Sequence, residues 1–374
     1  MRLAFVRRRI GPFGGGEWFV HEMARCMAGR GHDVHLIGEQ CAALPGTTAH
    51  TTALPAGGGA QARAFRAFVE EVIRPLEPVI VISGERAVPG DIYRAGDGAH
   101  QAWRERHAAA TANPLTRFVI QHHPRHQRQI ELENKLMAHP RLKAVIANSQ
   151  LVADDLRRCH SALPADRIRI IYNALDLGPV YDFLAANSVA DCRARLGLPA
   201  DRPVLLFAGS NFQRKGLPAL LAALPAIADL QPYLLVAGKG DAAGVQDVAR
   251  SLPAEIGLRL CGSQPQLAAY YRAADLFILP TLYDPFSNVC LEAMAFAVPV
   301  LTTAANGFSE LIRRHGVGGV IDEDGPLAGL LRRFLDPATQ QACRARICAC
   351  RAAYDMLPFA IQLEDLLAQL GTPA

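Results

Sequence analysis

Two carboxylates, Asp284 and Glu292, are separated by seven residues in the segment Thr281-Leu282-Tyr283-Asp284-Pro285-Phe286-Ser287-Asn288-Val289-Cys290-Leu291-Glu292-Ala293-Met294-Ala295. The first falls in a loop after an apolar run. The second falls about one turn into the helix that follows. Carboxylates accept hydrogen bonds from sugar hydroxyls. The helix start between them offers N–H groups to a phosphate or a sugar oxygen. The plainer reading makes Asp284 a turn former and Glu292 a surface residue of the helix. Upstream, Gly209-Ser210-Asn211-Phe212-Gln213-Arg214-Lys215-Gly216 sets two adjacent cations beside glycines. A diphosphate suits that pair: arginine grips it with two parallel bonds, and lysine adds a compact charge. Near the N-terminus, Gly11-Pro12-Phe13-Gly14-Gly15-Gly16-Glu17 forms a third motif, where glycine lets the backbone approach an anion closely. It is neither G-x-G-x-x-G nor a Walker A loop, which weakens NAD and ATP readings.

These motifs need elements to carry them. Short apolar runs alternate with helical stretches, the signature of βαβ units and parallel sheets. Residues 3–6, 33–38, 79–83, 144–148 and 169–172 read as strands. The pattern then restarts with residues 202–207, 233–237, 258–260, 276–280 and 298–302. The expected class is α/β, with two consecutive Rossmann-like parallel-sheet domains. Residues 1–175 form the first domain, 176–350 the second, and 351–374 a helix packing back toward the first. Ligands of such sheets bind at the carboxyl ends of strands, where all three motifs lie. Ala56-Gly57-Gly58-Gly59 reads as a flexible surface loop.

The chain of 374 residues suits two domains. Nine cysteines, without a C-x-x-C pair, read as reduced thiols rather than a disulfide frame or metal site. No apolar run is long enough for a transmembrane helix. Arg7-Arg8-Arg9 follows the first apolar run instead of preceding it, which argues against a signal peptide and for a cytoplasmic protein. Residues 1–175 hold 23 Lys+Arg against 16 Asp+Glu, or +7; residues 176–374 hold 16 against 19, or −3; the sum is the +4 of the whole chain. A basic half beside an acidic one implies that one domain faces something anionic. Only four of the 39 basic residues are lysine, Lys135, Lys143, Lys215 and Lys239, and that scarcity draws attention to each. The span from Trp103 to Arg128 carries Arg104, Arg106, Arg117, Arg125 and Arg128, four histidines and Phe118, with Glu105 as its one acid. Such a span suits the surface of an anionic bilayer as well as it suits a solvated basic face. No nucleic-acid recognition motif is present.

The D-x7-E segment, the Arg214-Lys215-Gly216 turn, the N-terminal Gly-rich loop and the Asn173-Ala174-Leu175-Asp176 linker come in an order that resembles glycosyltransferase family four. These are retaining enzymes of the GT-B fold. Asp91-Ile92-Tyr93-Arg94-Ala95-Gly96-Asp97-Gly98 and the Phe-Gly-Gly loop look most like the lipopolysaccharide-core glucosyltransferases. The likeness covers nearly the whole chain. It implies that Glu292 binds the ribose hydroxyls, and that Asp284 binds the donor sugar with help from the backbone of Phe286, Ser287, Asn288 and Val289. Arg214 and Lys215 would hold the diphosphate with Gly15, Gly16 and the strand-end Gly209, while Cys261 and Gly262 cradle the base. Asp97 would face the acceptor. Asp284 departs from the family's more frequent glutamate. The family often uses a histidine near the donor sugar, for which His100, His122 and His123 are candidates.

The resemblance implies a retaining hexosyltransferase that uses a nucleotide sugar, best UDP-glucose, and no metal. Its acceptor would be a glycolipid of the lipopolysaccharide-core type, met on the inner face of the cytoplasmic membrane. The cations and N–H groups would stabilise the leaving diphosphate, and Asp97 would orient the acceptor hydroxyl or take its proton. Other donors, among them UDP-galactose, UDP-N-acetylglucosamine and GDP-sugars such as a mannosyl donor, are the alternatives within the family. A sugar-nucleotide 2-epimerase on the same architecture would need no acceptor, and the turn followed by D-x7-E argues against it. Arg214, Lys215 and Glu292 argue against a non-catalytic sugar-nucleotide binder, which measurable donor turnover would exclude.

Overall fold

Residues 3–6 and 204–207 are wholly apolar and fully buried, so both faces of each run must be covered. Strands at the centre of a parallel sheet, with helices on either side, meet that demand. The structure, a computed structural model, describes residues 1–11, 14–111 and 113–371. Pro12 and Phe13 of the Gly-rich loop, and the last three residues of the tail, lie outside the described residues.

The chain forms two compact units: unit 1 is Met1–Asn173 with Met356–Ala374, and unit 2 is Ala174–Asp355. The strands of unit 1 are β1 (Arg2–Val6), β2 (Arg9–Ile10), β3 (Asp33–Gly38), β4 (Gln40–Cys41), β5 (Thr47–Thr51), β6 (Ile80–Ser83), β7 (Ile92–Arg94), β8 (Ala144–Ala147) and β9 (Ile168–Ile170). Seven make one sheet in the order β5-β3-β1-β6-β7-β8-β9. Every pairing in it is parallel, and β1 lies between β3 and β6 with Leu3 opposite Val34 and Ile80. The short β2 and β4 pair separately beside it. Helices α1 (Gly15–Gly29), α2 (Gly58–Ile73), α3 (His100–Ala109), α4 (Pro114–His122) and α5 (Pro124–Met137) follow in the first 137 residues. Gly58 and Gly59 open α2 instead of forming a surface loop. Gly57 precedes them at φ +100°, a conformation that glycine adopts without a Cβ penalty.

Unit 2 holds β10 (Val204–Ala208), β11 (Tyr233–Ala237), β12 (Gly257–Gly262), β13 (Leu276–Leu279), β14 (Val300–Thr303) and β15 (Gly318–Ile321). They form a second all-parallel sheet, β12-β11-β10-β13-β14-β15. The strand order reverses at β10, between β11 and β13, which is where open sheets of this kind bind ligands. After Asp355 the chain returns to unit 1 as the helix Met356–Gly371. Phe359 meets the ring edge of Phe19 on α1 at 5.3 Å, and Glu364 accepts from Arg30 at 2.6 and 2.7 Å.

Candidate functional site

The turn after β10 is built by backbone constraints. Asn211 takes φ +62° and accepts from the Arg214 N–H at 3.2 Å through its side chain. Gly216 ends the turn at φ +82°, where a Cβ would lie 1.8 Å from the Pro280 carbonyl oxygen. Gly238, after β11, has φ +127°, and a Cβ there would lie 2.0 Å from the Gly209 oxygen. These close backbone approaches press the turns after β10, β11 and β13 together. Leu282 N donates to the Arg214 oxygen at 2.9 Å, and the Arg214 guanidinium donates to the Tyr283 oxygen at 3.2 Å. The result aims Lys215 at Asp284, and the two form an ion pair with only 12% and 11% of their side chains exposed.

Asp284 is also pinned through its backbone, its N–H to the Ala305 oxygen and its oxygen from the Gly307 N–H, both at 3.0 Å. The brace behind this loop is Asn306, which is fully buried. Its side-chain oxygen accepts from Ser287 N at 3.3 Å and Phe308 N at 3.1 Å, and its amide donates to Thr302 Oγ1 at 2.9 Å. Sequence reasoning missed Asn306, since an isolated asparagine carries no periodic signal. Asn306→Ala strands two buried N–H groups, and we expect it to lower unfolding stability by about 2–4 kcal/mol. A urea titration checks this: a shift below about 0.5 kcal/mol would remove the brace role.

The helix Asn288–Ala295 starts at Ser287, which gives it no side-chain cap. Phe286 and Ser287 are buried, and Asn288 and Val289 half-buried. Glu292 is half-buried one turn along and accepts from the Tyr271 hydroxyl at 2.8 Å. Burial pushes its carboxyl up to about 7, with the Tyr271 bond opposing. Cys261 and Gly262 close β12. Burial raises the Cys261 thiol, and Gly262 sits at φ +68° with its oxygen accepting from Gly238 N at 2.7 Å. Gly209, Arg214, Lys215, Cys261, Gly262, Asp284 and Glu292 thus all belong to unit 2, on the loops and helix that follow its strands.

Gly15, Gly16 and Asp97 belong to unit 1. Gly15 and Gly16 are the first turn of α1. A Cβ on Gly16 would lie 2.9 Å from the Arg7 guanidinium, which reaches Asp97 at 3.6 Å. Desolvation would lift the Asp97 carboxyl, but Arg7, Arg86 and Arg94 outweigh it and hold it below the ordinary aspartate range. A carboxylate held that low orients a hydroxyl better than it takes a proton. Asp97 lines a cavity of about 900 Å³ contained within unit 1. Behind it Glu133, buried, accepts from Arg86 at 2.5 Å and bonds His160 at 2.9 Å and the His100 N–H at 3.1 Å.

The three histidine candidates occupy different settings. His100 bonds His126 at 3.1 Å, and burial, then Arg86, pushes it down to about 4. His122 is exposed and bonds the Phe118 oxygen, and His123 caps α5 through the Arg125 N–H. Trp103 stacks on His107 at 4.0 Å and on His100 at 5.3 Å, and Arg106 grips Asp155 with two bonds of 2.6 and 2.9 Å. Those two side chains serve packing, while α4 and the start of α5 face outward. Leu115, Phe118 and Val119 are exposed on it by 78, 60 and 55%. Among the described residues no helix is long and apolar enough to cross a membrane.

A family model described as Glycosyltransferase Family 4 matches residues 13–178, and one described as Glycosyl transferases group 1 matches residues 202–336. D-inositol 3-phosphate glycosyltransferase 1 of Catenulispora acidiphila is 33% identical over 222 residues, covering 54% of this chain and 51% of that protein. The chain spans about half the length of the curated relatives it matches. Among solved structures, WaaG, a glycosyltransferase involved in lipopolysaccharide biosynthesis, superposes with a TM-score of 0.79 at 19% identity, covering 97% of this chain and 99% of that one. Anabaena Alr3699/HepE, solved in complex with UDP and glucose, gives 0.68 at 18% identity, with 98 and 99% covered. These likenesses establish the fold, two parallel-sheet α/β domains of the GT-B kind.

Proposed function

We propose, for a chain that belongs to the family-four glycosyltransferases, that unit 2 binds a UDP-hexose, UDP-glucose first, and that the hexose moves with retention to a glycolipid acceptor of the lipopolysaccharide-core type. The observation that carries this reading is the Lys215–Asp284 pair with Arg214 beside it, at the point where the second sheet reverses its strand order. As the sugar–phosphate bond breaks, negative charge grows on the leaving diphosphate. Cations fixed in advance against that charge lower the barrier most. Lysine has three N–H donors, so Lys215 can serve a phosphate oxygen while it still holds Asp284 for a sugar hydroxyl. Glu292 would take the ribose hydroxyls, and Cys261 and Gly262 the base. Arg214 and Lys215 would supply the positive charge that a metal ion brings elsewhere, and the reaction is proposed to run without one. Asp97 would orient the acceptor hydroxyl. The involvement of WaaG in lipopolysaccharide biosynthesis supports the acceptor class, and the UDP and glucose held by HepE support the donor.

The test is UDP release from a panel of UDP- and GDP-sugars, with and without EDTA and a heptose-containing lipid acceptor. Release from one donor, unaffected by EDTA and raised by the acceptor, supports the reading. Release that requires a metal, or that is equal for all donors, overturns it.

A peripheral contact with the inner face of the membrane belongs to the same proposal. Leu115, Phe118 and Val119 follow i, i+3, i+4 spacing on α4, with Arg104 and Arg117 nearby to meet anionic headgroups. Burying Leu115 and Phe118 is worth about 1.5–3 kcal/mol each. Leu115→Glu/Phe118→Glu should therefore weaken sedimentation with phosphatidylglycerol vesicles by at least about tenfold and leave UDP release in solution unchanged. Unaltered sedimentation would exclude α4 as the contact.

A further inference from the structure

Asp97 stands on a turn whose backbone is fixed on both flanks. Arg86 donates to the Gly98 oxygen at 2.7 Å, and the Asn148 amide donates to the Gly96 oxygen at 3.2 Å. Gly96 also leaves room for the Arg94 guanidinium, which a Cβ there would strike. With the backbone held, the remaining freedom of Asp97 lies in its side chain. That side chain is 51% exposed, and the residue lines the cavity of unit 1.

Three arginines act on this carboxylate: Arg7, Arg86 and Arg94. Two of them are engaged elsewhere. Arg86 pairs with buried Glu133 at 2.5 Å, and Arg94 donates to the Asn173 side-chain oxygen at 2.6 Å and lies over the Phe19 ring at 4.3 Å. Among the described residues, Arg7 alone comes within ion-pair reach of Asp97, its Nη2 3.6 Å from Oδ2, and it meets no other carboxylate. Glu17 on α1 turns back on Gly14 instead, where a Cβ would lie 2.5 Å from its Oε2. From α5, Arg125 and Arg128 are in the cavity wall, and Glu133 acts on Asp97 through Arg86.

Arg7 is itself locked in place. It follows β1, and only 12% of its side chain is exposed. A Cβ on Gly16 of α1 would lie 2.9 Å from Nη2, and one on Gly84, after β6, 3.3 Å from Nη1. The guanidinium thus lies between two positions that carry no side chain. Strand β6 pairs with both β1 and β7, so the turns after all three meet on this one group.

We propose that Arg7 is the positioning residue of the acceptor subsite, holding Oδ2 of Asp97 so that the other carboxylate oxygen meets the acceptor hydroxyl. The inference rests on the proposed role of Asp97 toward the acceptor. A guanidinium offers a planar fork of donors, which fixes the orientation of a carboxylate better than a single ammonium does. A displacement of about 1 Å at a reacting hydroxyl can slow transfer by about 10²-fold.

Two readouts separate this clamp from the transfer reaction. The first follows the Asp97 carboxyl by NMR of carbon-13-labelled aspartate, with Asp97→Asn assigning the signal. The second is kcat and KM for UDP-glucose with the heptose-containing lipid. Both are run on the wild type, Arg7→Met, Arg7→Lys and Arg250→Gln, the last as a charge control elsewhere, and melting curves verify that each is folded. Removing Arg7 removes the nearest cation, so the Asp97 midpoint should rise by about 1 pH unit in Arg7→Met. There kcat should fall at least about tenfold, its acid limb should move up with the midpoint, and donor KM should change less than about twofold. Arg7→Lys keeps the charge and not the fork, so it should restore the midpoint and only part of kcat. Arg250→Gln should match the wild type in both. An unmoved midpoint in Arg7→Met, or a loss of kcat equal at every pH, overturns the proposal, as does full recovery of kcat in Arg7→Lys. A moved midpoint, with no UDP release by the wild type from any donor, leaves the clamp standing and sinks the proposed transfer reaction.

Discussion

Lys215→Ala is expected to slow UDP release from UDP-glucose by about 10²–10³-fold, the usual cost of removing one preorganised donor from a developing oxyanion. The pairing of Lys215 with Asp284 complicates that outcome, because both side chains are about nine-tenths buried. Removing one partner of a buried pair leaves the other charged and unpaired, at a cost of about 3–5 kcal/mol. Lys215→Ala should therefore also lower the melting temperature, and slow turnover alone would not separate a lost catalytic cation from a disturbed loop. The double variant Lys215→Ala/Asp284→Asn separates them. The neutral amide needs no cation, so most of the stability returns. Turnover stays low if the ammonium acts on the diphosphate. Recovery of turnover together with stability would show that Lys215 only braces the loop. The cycle of single and double variants measures the coupling directly.

Glu292→Gln is expected to move two properties in opposite directions. The Glu292 carboxyl sits at about 7 in the folded chain, above its usual 4.5. The folded state thus favours the protonated form. That contribution is full below about pH 4.5 and is lost as pH rises through about 7. At about pH 8 the ionised, half-buried group costs on the order of 1–3 kcal/mol. Glutamine removes the charge and keeps the acceptor for Tyr271, so the variant should melt several degrees higher at about pH 8 and show little gain at about pH 4.5. Ribose hydroxyls bind better to a carboxylate than to an amide, so the donor KM should rise about tenfold. In the wild type, donor KM should fall as pH rises through about 7, and in the variant it should be flat. A variant that neither gains stability at high pH nor loses donor affinity would remove Glu292 from the donor site. The pattern matches a site residue kept in a costly setting for function.

The apolar runs gave away most strands, since Val204–Ala208 or Ala144–Ala147 can only be buried on both faces. Other strands were hidden. Thr47–Thr51 is a polar edge strand, and Ile92–Arg94 is short and ends in an arginine buried against Phe19 at 4.3 Å. Gly318–Ile321 opens with two glycines, a pair more usual in turns than in strands. A Cβ on Gly318 would lie 1.8 Å from the Val300 oxygen, so the glycine is there for close strand approach. Motif order put Lys215 and Asp284 on the turns after β10 and β13, and those turns meet because the two strands are neighbours. It could not reveal Asn306 or Glu133, whose roles depend on hydrogen bonds between segments distant in sequence. Arg7 was legible only as part of a basic run, and its contact with Asp97 arises from the fold.

The return of the chain to unit 1 has a bearing on synthesis. Phe19 and the cationic edge of α1 are covered by a helix that is translated after unit 2. The whole of unit 2 must be made in between, which takes roughly 10–35 s at about 5–20 residues per second. For that interval the nascent first unit carries an uncovered aromatic face. The closing of unit 1 is thereby tied to the synthesis of Met356–Gly371, and a chain that stops before Met356 leaves that face open to chaperones and proteases.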